Sequence, residues 1–147
     1  DIITQHTDSP APLQVAENRG VKGFGQASDM IKFAPKAQLS AIVNNWGAYY
    51  VERTNAMMNG SWKSQDVWHG LKEGMVQMAP YTNMSSDAAA LAKKTEDAIR
   101  SGALHPFSGP IKDQSGKLVV KAGEIAEAVM LLGMNFYVEG DQGSLPK

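Results

Sequence analysis

Two short runs near the start, Ile2-Ile3-Thr4 and residues 21–25, flank a segment of helix length. Strands joined by a tight turn run antiparallel, whereas strands joined through a helix return in the same direction. Pro10 follows Ser9, where proline favours a helix start. Leu13, Val15 and Ala16 supply apolar positions, and Gly20 closes the segment. The spacing therefore predicts strand, helix over about residues 10–18, strand: a βαβ unit with parallel strands. That unit commits the chain to an α/β fold with a parallel sheet flanked by helices.

Residues 26–30 read as a polar loop at the carboxyl end of the second strand. Leu39, Ile42, Val43, Trp46, Tyr50 and Met57 recur at steps of three and four, which predicts a long amphipathic helix over about 35–58, ended before Gly60. Residues 67–78, around Gly70 and Gly74, read as short strands or a hairpin. Ser85, Ser86 and Asp87 suit a helix start. In that helix Leu91, Ala92, Thr95, Ala98 and Ile99 are the expected buried face, with Lys93, Lys94, Glu96, Asp97 and Arg100 in water, and Gly102 ends it. Residues 106–120 read as a hairpin turning at Asp113-Gln114-Ser115-Gly116. A short helix over 123–132, a strand at 136–138 and a tail over 140–147 complete the pass. The chain opens directly on its first strand, so the expectation is a piece of a longer protein whose N-terminal part, including any export signal, lies outside it.

Composition removes several function classes. The formal net charge is −1, so no global field draws the chain to nucleic acid. There is no cysteine, which excludes a disulfide framework, thiolate metal sites and a cysteine nucleophile. The three histidines, His6, His69 and His105, never pair at a metal-ligand spacing, and His6 is expected to be a hydrogen-bonded structural group. Ser9 and Ser40 lie outside any G-x-S-x-G elbow. Gly23 and Gly25 open no phosphate-binding G-x-G-x-x-G, because residue 28 is Ser and both glycines fall inside a strand. No catalytic residue, metal or cofactor is expected.

Open α/β sheets bind ligands outside the carboxyl ends of their parallel strands. Here those ends carry Gln5, His6, Thr7 and Asp8, then Gln26, Ser28 and Asp29. Amide, hydroxyl and carboxylate groups without a nucleophile–base pair are equipment for recognising a polar small molecule. Asp8 and Asp29 can equally cap helices. Trp46, Tyr49, Tyr50 and Trp68 can stack on a base, although Trp46 and Tyr50, four apart on one helix, more commonly join a core.

Several segments carry a resemblance. They are Asp1-Ile2-Ile3-Thr4-Gln5-His6-Thr7-Asp8-Ser9, Gly23-Phe24-Gly25-Gln26-Ala27-Ser28-Asp29-Met30 and Leu39-Ser40-Ala41-Ile42-Val43-Asn44-Asn45-Trp46-Gly47. The end adds Gly116-Lys117-Leu118-Val119-Val120, Gly123, then Leu132-Gly133-Met134-Asn135-Phe136-Tyr137-Val138-Glu139-Gly140 and Pro146. In order and spacing this resembles the basic-membrane-protein family of purine-nucleoside receptors. The resemblance implies a type I periplasmic-binding-protein fold, in which two α/β lobes close over a ligand, with residues 1–147 as the C-terminal portion. It also implies a periplasmic or lipid-anchored receptor that delivers its ligand to an ABC permease in the inner membrane. Asp29 matches an aspartate that binds the ligand's ribose. Asn44 stands where nucleoside-binding members carry a lysine that also contacts the ribose, and Thr7-Asp8-Ser9 replaces a turn that is often glycine-rich. Those departures favour a purine base such as adenine over a nucleoside. The candidate ligand-binding residues are Gln5, Thr7, Asp8, Asp29, Asn44 and Trp46. The alternative on the same fold is the effector-binding domain of a transcription regulator; an α/β hydrolase would need an activated nucleophile or a metal site.

Overall fold

The computed structural model describes residues 1–145, so Pro146 of the closing motif lies outside the described residues. The chain forms two compact units, one over Asp1–Ser101 and one from Gly102 onward. The first unit holds a four-stranded sheet in the order β1 (Ile2–Ile3), β2 (Lys22–Gly25), β3 (Gln38–Asn44), β4 (Val76–Met78). β1, β2 and β3 are parallel, and β4 runs antiparallel to β3. The predicted βαβ unit is present: α1 (Ala11–Asn18) joins β1 to β2, with Pro10 before it and Gly20 at φ +69° after it.

Leu13 and Ala16 are the buried side of α1 and pack with Met30, Ala34 and Ala37 from the β2–β3 connection. Glu17, at the end of α1, accepts the Lys36 and Ala37 backbone N–H groups at 2.6 and 3.1 Å. Its carboxylate thereby ties the helix to the turn that feeds β3. The glycines of β2 have a packing cause. A Cβ on Gly23 would lie 2.7 Å from Leu13 Cδ2, and one on Gly25 would lie 2.8 Å from Ala41 Cβ. The close approach of α1 and β3 to β2 leaves no room for a side chain at either position.

The long helix expected over 35–58 is instead β3 followed by α2 (Trp46–Met58). Leu39, Ser40 and Ala41 are buried between two neighbouring strands. A strand covered on both faces is apolar without alternation, and such a run fits a helical period as well as a strand. Ser40 and Gln38 lie in the same interior; the Ser40 hydroxyl donates to the Ala79 carbonyl at 2.7 Å.

Only 76–78 of the expected 67–78 strands form, with a turn at 71–74. α3 (Ser86–Ser101) begins as read: the Ser85 hydroxyl accepts the Ala88 N–H at 3.2 Å, and Asp87 lies in the first turn. Its buried face differs from the expected one. Leu91 is 65% exposed and Thr95 is exposed, whereas Glu96 is 8% exposed. Glu96 enters the interior because its charge is matched there by Arg100 (2.9 Å) and Lys93 (3.5 Å).

In the second unit the hairpin β5 (Ile111–Lys112) and β6 (Leu118–Val120) is antiparallel. Asp113 Oδ1 closes its turn, accepting from the Ser115 N–H, the Ser115 hydroxyl and the Lys117 N–H. The Ser115 hydroxyl and those two N–H groups hold the Asp113 carboxyl below its usual range. α4 (Ala128–Leu132) covers only the end of the predicted 123–132 helix, and the strand expected at 136–138 is a single bridge between Val138 and Asp113.

Candidate functional site

Because β1, β2 and β3 are parallel neighbours, their carboxyl ends lie along one edge of the sheet. Residues 5–8 follow β1, residues 26–29 follow β2, and residues 44–46 end β3 and open α2. Periodicity predicts a helix at Asn44; as the last residue of a third parallel strand it joins the edge that carries the other candidates. This is the position from which such sheets hold ligands.

Hydrogen bonds draw the three ends together. The Asn44 N–H donates to the Ala27 carbonyl at 3.1 Å. Ala27 has φ +62°, a left-handed conformation that costs a non-glycine residue about 1 kcal/mol. Gln5 Nε2 donates to the Phe24 carbonyl at 3.4 Å and approaches Met30 Sδ at 3.9 Å, so its amide ties the end of β1 to the loop after β2. Gln5 Oε1 accepts the Thr7 hydroxyl at 3.2 Å. Gln5 is thus engaged with the chain itself and orients Thr7.

Asp29 combines both roles read from the sequence. Its Oδ1 accepts the Ile31 N–H at 3.0 Å and Gln38 Nε2 at 2.7 Å. The same Gln38, 1% exposed, accepts the Met30 N–H through Oε1 at 3.0 Å. The pair fixes the loop after β2, while Asp29 itself remains exposed at the edge. Asp8 is exposed and does not cap α1; the Ser9 hydroxyl accepts the Ala11 N–H instead. His6 is exposed, and among the described residues its ring makes no hydrogen bond, contrary to the structural role expected of it.

Trp46 is 47% exposed and stacks on Tyr50 at 5.7 Å between centroids with an interplanar angle of 23°. Tyr50 is 60% exposed, so neither ring is core. Tyr49 meets Trp46 edge-on and also meets the His69 ring at 6.3 Å. Beside this cluster, Asn45, Tyr49, Glu52, His69, Glu73 and Met75 line an open groove of about 190 Å³. The Gly70 N–H donates to Glu73 Oε2 at 2.8 Å and holds that carboxyl below its usual range, against the opposing effect of burial. Among the described residues no group of three or more His, Cys, Asp or Glu is arranged to hold a metal ion.

Sequence reasoning did not single out Gln38 or Asn45 for the site. Gln38 was detectable as the lone amide heading an apolar run. Asn45 carried no signal beyond standing beside Asn44.

The family model for PnrA-like ABC transporter substrate-binding proteins (Bmp) matches residues 1–103. A purine-binding protein of Brucella abortus (strain 2308) is 60% identical over 147 residues, which is 100% of this chain and 42% of the relative. A putative ABC transporter glucose-binding protein of Haloferax volcanii is 25% identical over 147 residues, 99% of this chain and 35% of the relative. The chain thus spans less than half the length of these curated relatives. Among solved structures, a transcriptional activator of the comK gene from Bacillus halodurans superposes with a TM-score of 0.62 at 14% identity, covering 72% of this chain and 38% of that one. At that identity the likeness is one of fold alone.

Proposed function

Since this chain belongs to the PnrA-like family of ABC transporter substrate-binding proteins, we propose that it is the C-terminal portion of a two-lobed receptor. The receptor binds a purine base, adenine in preference to a nucleoside, and delivers it to an inner-membrane ABC permease. It works in the periplasm or lipid-anchored at the outer face of the cytoplasmic membrane. No helix among the described residues is long and apolar enough to cross a membrane.

The observation that carries this reading is the convergence of three polar strand ends on one edge of the sheet. Their groups are acceptors and small polar donors, which suit the amine and ring N–H of a base. Asp29 offers the carboxylate oxygen that Gln38 and Ile31 leave free, and Asp8 offers a second carboxylate. Thr7 and Asn44 supply neutral polar contacts, and the Trp46 ring supplies a stacking face. All five of these residues are exposed along the edge, which fits one wall of a cleft completed by another lobe. Contacts from both lobes would favour the closed state by differential affinity, and the closed shape is what a permease reads.

Asp29→Asn in the two-lobed protein is the sharpest test. An asparagine retains the oxygen that accepts from Gln38 and Ile31, so the loop keeps its turn while the carboxylate is lost. Purine binding measured by calorimetry is expected to fall at least tenfold, about 1.4 kcal/mol. Unchanged affinity would remove Asp29 from the ligand site.

A further inference from the structure

Asn45 lies between two of the residues proposed to meet the ligand, and it is bonded elsewhere. It is the residue that precedes α2, where an asparagine ordinarily accepts an N–H from the first helical turn. Here it makes no such cap. Its Nδ2 instead donates to the Gly74 carbonyl at 3.1 Å, and its backbone N–H donates to the Met75 carbonyl at 2.7 Å.

The segment it grips is itself closed and anchored. Gly74, at φ +76°, donates its N–H to the Leu71 carbonyl at 3.3 Å, and the Val76 N–H donates to the Gly70 carbonyl at 3.2 Å. Arg100 on α3 donates Nη1 to the Leu71 carbonyl at 3.1 Å and Nε to Glu96 at 2.9 Å. Tyr81 donates its hydroxyl to the other Glu96 oxygen at 3.2 Å. A continuous set of hydrogen bonds therefore runs from the buried Glu96 through Arg100 and the 70–75 turn to Asn45.

We propose that Asn45 is a positioning residue for the ligand edge: its bonds to Gly74 and Met75 fix the junction at which β3 ends in Asn44 and α2 begins with Trp46. The proposal rests on the reading of that edge as the ligand site. Asn44 and Trp46 flank Asn45 directly, so rotation of the junction displaces both. Recognition by hydrogen bonds and stacking tolerates about 0.5 Å of such displacement. No residue of α2 is buried, so packing of the helix does not fix the junction in its place.

The test uses the two-lobed protein carrying Asn45→Asp. This change keeps the side-chain shape, removes the Nδ2 donor and sets a carboxylate against the Gly74 carbonyl. Adenine affinity at neutral pH is expected to drop about tenfold. Acidification should restore it, because a protonated carboxyl can again donate to that carbonyl; the recovery should begin above the ordinary carboxyl value of about 4, since the acceptor favours the protonated form. Glu52, Glu73 and His69 line the same groove, and Asp29 and Asp8 are carboxylates of the ligand edge itself. The recovery is therefore read as the ratio of parent to variant affinity at each pH, and a ratio that stays near tenfold on acidification is the failure to restore. Neutral-pH affinity within twofold of the parent overturns the proposal, and so does a loss that acid fails to restore. If the charge prevents folding, Asn45→Ala removes the whole amide, donor included, without adding a charge; a tenfold loss supports the role and parent-like affinity overturns it. A parent that binds no purine brings down the functional reading and this proposal together, whereas a binding parent with an unaffected variant removes the positioning role only.

Discussion

The junctions after β1 and β3 make an instructive pair. Each leads from a parallel strand through polar residues into a helix along the same edge of the sheet. The helices are held by different forces. α1 lays Leu13, 1% exposed, and Ala16 onto the sheet, so apolar burial fixes its place. α2 has no buried residue and leaves Trp46, Tyr50, Val51, Met57 and Met58 exposed. Its entry is set by the polar bonds of Asn45 and by backbone pairing of β3 with β4. One junction gives the fold its core. The other leaves aromatic and amide groups exposed along the edge.

That contrast has measurable consequences. The largest belongs to α1: Leu13→Ala should destabilise by about 2–5 kcal/mol, while Tyr50→Ala or Met58→Ala on α2 should change stability by less than about 0.5 kcal/mol. Urea unfolding of the three variants compares them directly, and similar losses would erase the distinction. Gln38→Leu should cost about 1–3 kcal/mol, because it leaves the Met30 N–H without its acceptor and Asp29 without its amide donor. It should also weaken purine binding, since the loop bearing Asp29 loses its anchor; a variant unstable yet fully competent in binding would separate the loop from the site.

A smaller effect concerns Tyr81. Burial, and next the Glu96 carboxylate, push its phenol from 10.0 up to about 12. Between those values the unfolded chain releases a proton that the folded chain retains, so stability present below about pH 10 is lost as pH rises through about 12. Tyr81→Phe should cost about 1 kcal/mol at neutral pH and flatten this alkaline decline, which thermal unfolding from pH 8 to 11.5 would register. The smallest effect is expected at Ala27. Ala27→Gly relieves the left-handed conformation and should raise stability by roughly 0.5 kcal/mol, the strain relief being partly offset by the entropy of the unfolded glycine. A loss of stability there would show that the Ala27 methyl packs more than its backbone strains.

The same comparison explains what was legible in the sequence. The β1–α1–β2 unit is written in local signals: a β-branched run, Pro10, an apolar side and Gly20. The β3–α2 junction is not, because Leu39, Ile42, Val43 and Trp46 keep a helical step across the end of a buried strand. The polar residues of the edge are legible in the sequence, but periodicity puts Asn44 on a helix, and only the sheet brings it beside Ala27. Leu91 and Glu96 exchange the burial that periodicity assigned them, since a charge enters the interior when Arg100 waits four residues away. The Asp29–Gln38 and Asn45–Gly74 bonds join residues nine and 29 positions apart, and no local pattern announces either.

The central claim is that the carboxyl edge of β1, β2 and β3 is one wall of a purine site. Calorimetric titration of the two-lobed protein with adenine, adenosine, guanosine and, as a non-purine control, glucose tests it most directly. The account predicts saturable binding of adenine, weaker binding of both nucleosides and no heat with glucose. Saturable glucose binding with no response to any purine would contradict it and assign the same edge to a sugar.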